Sequence, residues 1–94
     1  MTTPYSIELD SAAERFVLTV DGHACELGFH REGSVLSLNH VRVPEAVGGR
    51  GLAGELTRHA LDWARDHHLK VRPVCPYVAH WIERHADYQN LLSS

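Results

Sequence analysis

Residues Val35 to Gly54 read V-L-S-L-N-H-V-R-V-P-E-A-V-G-G-R-G-L-A-G. The run from Val35 to Val43 is rich in β-branched residues and predicts a long strand. Pro44 ends it, since proline cannot donate to a ladder. Gly48, Gly49, Gly51 and Gly54 then fall within seven residues, and behind them the apolar period changes from two to that of a helix. A long strand, a glycine-rich turn and a helix start in succession place the junction of two structural halves here.

Upstream of the junction the pattern alternates. Phe16, Leu18 and Val20 recur at period two with Arg15 and Thr19 between them, as a half-buried strand requires. Asp21-Gly22 is a two-residue hairpin signal, because both residues tolerate positive φ. The returning strand is expected from about Ala24 to Arg31, with Cys25, Leu27 and Phe29 on one face, and Glu32-Gly33-Ser34 forms the next turn. Ser6 to Asp10 is expected to add a short edge strand. Downstream, Leu52, Leu56, Ala60, Trp63 and His67 mark one face of a helix, with Glu55 in its first turn and basic side chains at its end. Leu69 to Val74 reads as a short strand whose pairing Pro73 interrupts. A second helix is expected from about Pro76 to His85, with Tyr77/Trp81 and Val78/Ile82 pairs four apart. The fold class is α+β: an antiparallel meander followed by helix, strand and helix on a mixed sheet.

Composition sets the remaining bounds. With 94 residues the chain is expected to be a single domain, residues 1–94. Nine Lys and Arg against twelve Asp and Glu give a formal charge of −3, which is no basic footprint for nucleic acid. Apolar residues at 44% and charged residues at 22% argue for a globular domain over a disordered one. No apolar run approaches the roughly 18 residues a membrane helix needs. The first residues lack the basic and apolar segments of a signal peptide, so a cytoplasmic location is expected. Cys25 and Cys75 cannot build a disulfide framework and are expected to be free thiols.

The glycine turn admits several readings. Gly49, Gly51 and Gly54 satisfy G-x-G-x-x-G, but Pro44 to Val47 separate strand from turn, and no acidic residue ends the next strand as a dinucleotide fold would require. No Gly-Lys-Ser/Thr occurs, which excludes a P-loop. Glycines at a helix start either loosen the loop and ease helix–sheet contact, or let a phosphate reach free amides at the positive end of the dipole. Their clustering favours the anion, and Arg50 adds a cation.

Gly48 to Ala53 resembles the pyrophosphate-binding motif of the GNAT superfamily of N-acetyltransferases, Gln/Arg-x-x-Gly-x-Gly/Ala. Gly51 and Ala53 take its two small positions, while Gly48 stands where Gln or Arg is usual. The wider run is similar to small single-domain (YjdJ-type) members. It includes Asn39-His40-Val41, Val43-Pro44-Glu45-Ala46, Gly49-Arg50-Gly51-Leu52-Ala53, Leu61-Asp62-Trp63-Ala64-Arg65 and Val74-Cys75-Pro76-Tyr77-Val78-Ala79, and continues through Ile82-Glu83-Arg84-His85 to Tyr88-Gln89-Asn90-Leu91. The resemblance implies acetyl-CoA as donor, with its pyrophosphate on the amides of Gly48, Gly49, Arg50, Gly51, Leu52, Ala53 and Gly54. Its pantetheine arm would follow the strand end near Val41 and Val43, in a gap that Pro73 helps to open. GNAT domains generally carry an N-terminal helical segment over the acceptor; here the first half is spent on the meander, so an open acceptor flank is expected.

Two residues stand out as chemical groups. Cys75 precedes Pro76, which suits the first position of a helix, so its thiol falls at the N-cap, where the dipole favours thiolate. It reads equally as a buried small hydrophobe, and the resemblance adds that relatives carry a cysteine proposed to be catalytic here. Cys25, in phase with Leu27 and Phe29, reads as core. His40 lies near the end of the long strand, out of phase with Val41 and Val43, and its imidazole suits a general base or thiol partner. The alternative is a histidine satisfied on the sheet surface; relatives also have a histidine here. The other seven histidines lack metal-ligand spacing, and no metal is expected. An acetyltransferase acting on an amine follows, by direct attack while His40 or a water accepts the proton, or through an acyl-Cys75 that His40 activates. The alternatives are a non-catalytic acyl-CoA-binding module and a cofactor-free protein-interaction domain. The acceptor is not legible, although the acidic balance favours a cationic amine or basic peptide. A monomer or weak dimer is expected.

Overall fold

A computed structural model describes residues 5–93 of the chain. Five strands form one sheet in sequence order: β1 (Ile7–Asp10), β2 (Arg15–Val20), β3 (His23–Glu32), β4 (Val35–Arg42) and β5 (Lys70–Pro73). The first four pair antiparallel and β5 lies parallel to β4. Helix α1 (Leu52–Asp66) makes the crossover between β4 and β5, and α2 (Pro76–Glu83) follows. The α+β meander with its mixed sheet is therefore as the sequence patterns require.

Local chemistry explains the turns. Asp21 and Gly22 both adopt positive φ, +51° and +78°, the conformation of a tight hairpin matched to strand twist. The sequence did not announce two short 3-10 segments, at Glu45–Val47 and Ala86–Leu91, or the bridge from Leu92 to Val71 that closes the far sheet edge.

Register gives the sheet two unlike faces. Phe16, Leu18, Cys25, Leu27, Leu36 and Leu38 are all buried and share the face that α1 covers. Phe16 anchors this layer, with ring centroids of Phe29, His59 and Trp63 at 5.2, 5.3 and 5.8 Å. On α1 the deeply buried stripe is Leu52, Leu56, Ala60 and Ala64; Trp63 is half-buried and His67 exposed, so the stripe expected through Trp63 and His67 is rotated toward Ala64. Each helix ends alike: His67 and His85 stack on the tryptophans four residues earlier and donate from Nδ1 to their carbonyls, at 2.8 and 2.7 Å. The opposite sheet face carries Glu8, Thr19, Glu26, His30, His40 and Arg42, all exposed or half-exposed. Among the described residues no helix is long and apolar enough to cross a membrane.

Burial pushes the His59 imidazole below its usual range, with Asp62 opposing in part. The fold thus holds His59 neutral, and its contribution is complete above the unfolded value near 6.5 and is lost as pH falls toward the lower folded value. Urea midpoints are expected to fall between pH 7.5 and 5, and His59→Gln is expected to flatten that slope. An unchanged slope in the variant would remove His59 from the pH response.

Candidate active site

The junction of β4 with α1 builds the site. Pairing of β4 with β5 covers Val35 to Leu38 only, and Leu38 meets Pro73, which has no N–H to continue the ladder. The chain then turns inward, and the Cys75 amide donates to the Leu38 carbonyl at 2.9 Å. β4 runs on to Arg42, so its edge from Asn39 to Arg42 lies past the last β5 partner. In the same place Asn39 is an extra residue against β3: Gly28 pairs with His40 but Phe29 with Leu38. This bulge reverses the phase, so that Val41 rejoins the buried face beside Leu27 while His40 goes to the open face. The change of apolar parity from Leu36 and Leu38 to Val41 and Val43 is the sequence signal that could have located it.

At the helix start, Gly49 and Gly51 have φ of +79° and +74°, which a side chain would strain. Gly51 is the N-cap of α1, no side chain caps it, and the first helical bond is Glu55 N–H to the Gly51 carbonyl at 3.1 Å. The Gly48 amide is engaged with the Glu45 carbonyl at 3.1 Å. Amides from Gly49 to Gly54 have no backbone acceptor among the described residues. Leu52 is buried and anchors this turn, whereas Gly48, Gly49, Arg50 and Gly51 are exposed. Arg50 pairs with Asp21 at 2.8 Å, which ties the turn to the β2–β3 hairpin. A row of free amides at the positive end of α1 suits a diphosphate, with or without the Arg50 cation.

Cys75 is the N-cap of α2, with extended φ and ψ of −70° and 125° ahead of Pro76, and it is 8% exposed within the core cluster. Cys25 is fully buried, and burial pushes its thiol up. Tyr77 was legible only as a packing residue. A methyl group added at Gly54 would meet the Tyr77 hydroxyl and Trp81 Nε1, each at 3.5 Å, so α2 roofs the first turn of α1. Burial, then the neighbouring Cys75, raises the Tyr77 phenol, which stays protonated.

The His40 side chain is 56% exposed, and its Nε2 lies 2.9 Å from Glu26 Oε2. Arg15 Nη1 donates to the other Glu26 oxygen at 2.8 Å. His40, then Arg15, hold the Glu26 carboxyl below the usual carboxylate range against its partial burial. No hydrogen bond joins His40 to Cys75 among the described residues. Val41 and Val43 thus pack on the core side, Cys75 is tied to Leu38 where the ladder ends, and the first turn of α1 lies against Tyr77 and Trp81 of α2, whereas His40 is on the opposite face of β4. No group of three or more His, Cys, Asp or Glu able to hold a metal occurs among the described residues.

A sheet split between parallel neighbours, with an uncapped glycine helix start beside it, is the architecture of an N-acetyltransferase-like domain. The chain belongs to the GCN5-related N-acetyl-transferase family, whose family model matches residues 15–91. It is 29% identical over 83 residues to Protein NATD1 of Gallus gallus, covering 85% of this chain and 76% of that one. It is 27% identical over 94 residues to Protein NATD1 of Danio rerio, covering 97% and 86%. Its fold is similar to that of a GCN5-like protein from Staphylococcus aureus solved by NMR, with a TM-score of 0.74 at 21% identity, over 95% of this chain and 88% of that one.

Proposed function

We propose that this protein transfers an acetyl group from acetyl-CoA to an amine, with the donor's diphosphate on the amides of Gly49 to Gly54. The observation that carries this reading is the row of free amides at the N-terminus of α1 beside the unpaired edge of β4. A diphosphate there gains hydrogen bonds and the helix dipole together. The donor arm then lies along Val41 and Val43, where backbone N–H groups can polarise the thioester carbonyl. The acceptor comes from the uncovered sheet face, where His40 takes its proton, so transfer is direct. Tyr77, held as a phenol, offers a proton on the core side. His40 is occupied by Glu26 and is not bonded to Cys75, which favours direct transfer over an acyl-cysteine route.

Calorimetric titration with CoA tests the donor half. Gly51→Glu is expected to abolish the binding isotherm, because it sets a carboxylate among the phosphate-binding amides at a position with φ of +74°. The strain of a non-glycine residue there is about 1–2 kcal/mol, so a melting curve accompanies the titration. Unaltered CoA affinity in a folded Gly51→Glu protein would displace the donor from this turn. Tight CoA binding with no thiol release across a panel of amines would favour the acyl-CoA-binding module instead.

A further inference from the structure

Glu26 lies one strand away from His40 and outside the acetyltransferase motif, and it is the more buried of the two, with its side chain 20% exposed. Its two oxygens have separate partners: Oε1 accepts from Arg15 Nη1 at 2.8 Å, and Oε2 lies 2.9 Å from His40 Nε2. Arg15 Nε lies in turn 3.5 Å from Asp10 Oδ2. An ionised carboxylate only accepts, so the imidazole nitrogen facing it carries the proton. The other nitrogen, Nδ1, then has a lone pair and no hydrogen-bond partner among the described residues. Beneath the ring is Gly28, paired with His40 across the ladder; a methyl group there would collide with Cε1, Nδ1 and Nε2 of the imidazole. The ring therefore lies flat on bare backbone, clamped at one end by a carboxylate that a guanidinium holds in place.

We propose that Glu26 is the positioning residue of His40: it fixes the Nε2–H tautomer on the glycine platform of Gly28 and leaves Nδ1 as the atom that accepts the acceptor's proton. This rests on the transferase reading above. In that reaction the amine nitrogen bonds to the thioester carbon and the C–S bond breaks with its electron pair on sulfur. The proton lost by nitrogen goes to Nδ1 and the sulfur takes one from the Tyr77 phenol, so the products are an amide and a thiol; the imidazolium then returns its proton through solvent to the phenolate. Glu26 bonds the imidazole and touches neither reactant. It acts through orientation and by stabilising the imidazolium that forms, the role a buried carboxylate plays behind a histidine base. The other charged groups on this sheet face are Glu8 on β1, Glu32 and the His30–Glu14 pair at β3, Arg42 opposite Glu26 on β4, and Lys70 and Arg72 on β5.

The test needs no amine acceptor. Diethyl pyrocarbonate acylates unprotonated imidazole, and mass spectrometry reports the rate at each histidine. At pH 8, Glu26→Gln is expected to slow His40 modification several-fold, while the other seven histidines keep their wild-type rates. Gly28→Ala is expected to change the rate at His40 alone. Independently, 13C NMR of the Glu26 carboxyl is expected to show its titration moving to higher pH in His40→Gln, since His40 is the largest influence holding it down. Equal His40 rates in wild type and Glu26→Gln, or an unmoved Glu26 titration, would overturn the pairing. Should both measurements behave as expected while His40→Ala turns over normally, the transferase role of His40 fails and the pairing stands. With poly-lysine as acceptor, Glu26→Gln is expected to lower kcat with KM unchanged, whereas a merely structural residue would leave kcat per folded enzyme in place.

Discussion

Replacing His40 by alanine is expected to lower kcat about 10²–10⁴-fold, the contribution of a positioned general base. Thermal stability and CoA affinity are expected to stay near wild type. The side chain is more than half exposed, and exposed substitutions usually change stability by less than about 0.5 kcal/mol. Its removal leaves Glu26 with Arg15 as partner, so no carboxylate is stranded. CoA affinity is spared because the amides of Gly49 to Gly54 and His40 occupy different parts of the site. Cys75→Ala is the control that gives the result its meaning. Cys75 packs in the core and has no bond to His40, so direct transfer predicts that most turnover survives its loss. No turnover in a folded Cys75→Ala that still binds CoA would instead favour the acyl-cysteine route. Thiol release from acetyl-CoA with poly-lysine as acceptor measures both variants.

The split in the sheet was legible because its cause is local. Pro73 lacks an N–H whatever surrounds it, and the ladder between β4 and β5 ends at that residue. The hairpin at Asp21-Gly22 and the N-cap at Cys75 were legible for the same reason: Asp and Gly tolerate positive φ, and Pro76 fixes its own φ. Residues whose role depends on cross-strand partners were hidden. A glutamate on the polar face of a strand is ordinary, and only the register of β3 against β4 and β2 brings Glu26 between His40 and Arg15. Gly28 reads as a weak point in a strand until the imidazole opposite is placed over it. Arg50 shows the reverse limit. It lies in the glycine turn, where the sequence offers it as a cation, but Asp21, twenty-nine residues away in sequence, holds its guanidinium. The rotation of the α1 stripe has a related origin, since Trp63 is too large for the deepest layer and lies at its margin against Phe16 and Phe29.

Phe16→Ala is expected to be the most damaging single change to the fold. Phe16 is fully buried at the centre of the face that α1 covers, with Phe29, His59 and Trp63 around its ring. Truncating such a residue costs about 3–5 kcal/mol, from lost transfer energy and the cavity left behind. Domains of this size have only about 5–15 kcal/mol in all. The urea midpoint should therefore fall by about 2 M. The surrounding rings belong to β3 and α1 and leave little scope for collapse. Phe29 and Trp63 would lose an aromatic neighbour as well as apolar contact, while Leu18, Cys25 and Leu27 still fill the rest of the layer. The defect is remote from the free amides of α1, so CoA binding by the folded fraction in the cold should persist, with apparent affinity reduced as that fraction shrinks. Addition of CoA should accordingly raise the melting temperature of Phe16→Ala, whereas Gly51→Glu should show no such rise. A drop below about 1 kcal/mol in Phe16→Ala would mean that the sheet and α1 are held together by other contacts, and that the aromatic cluster is peripheral to the core.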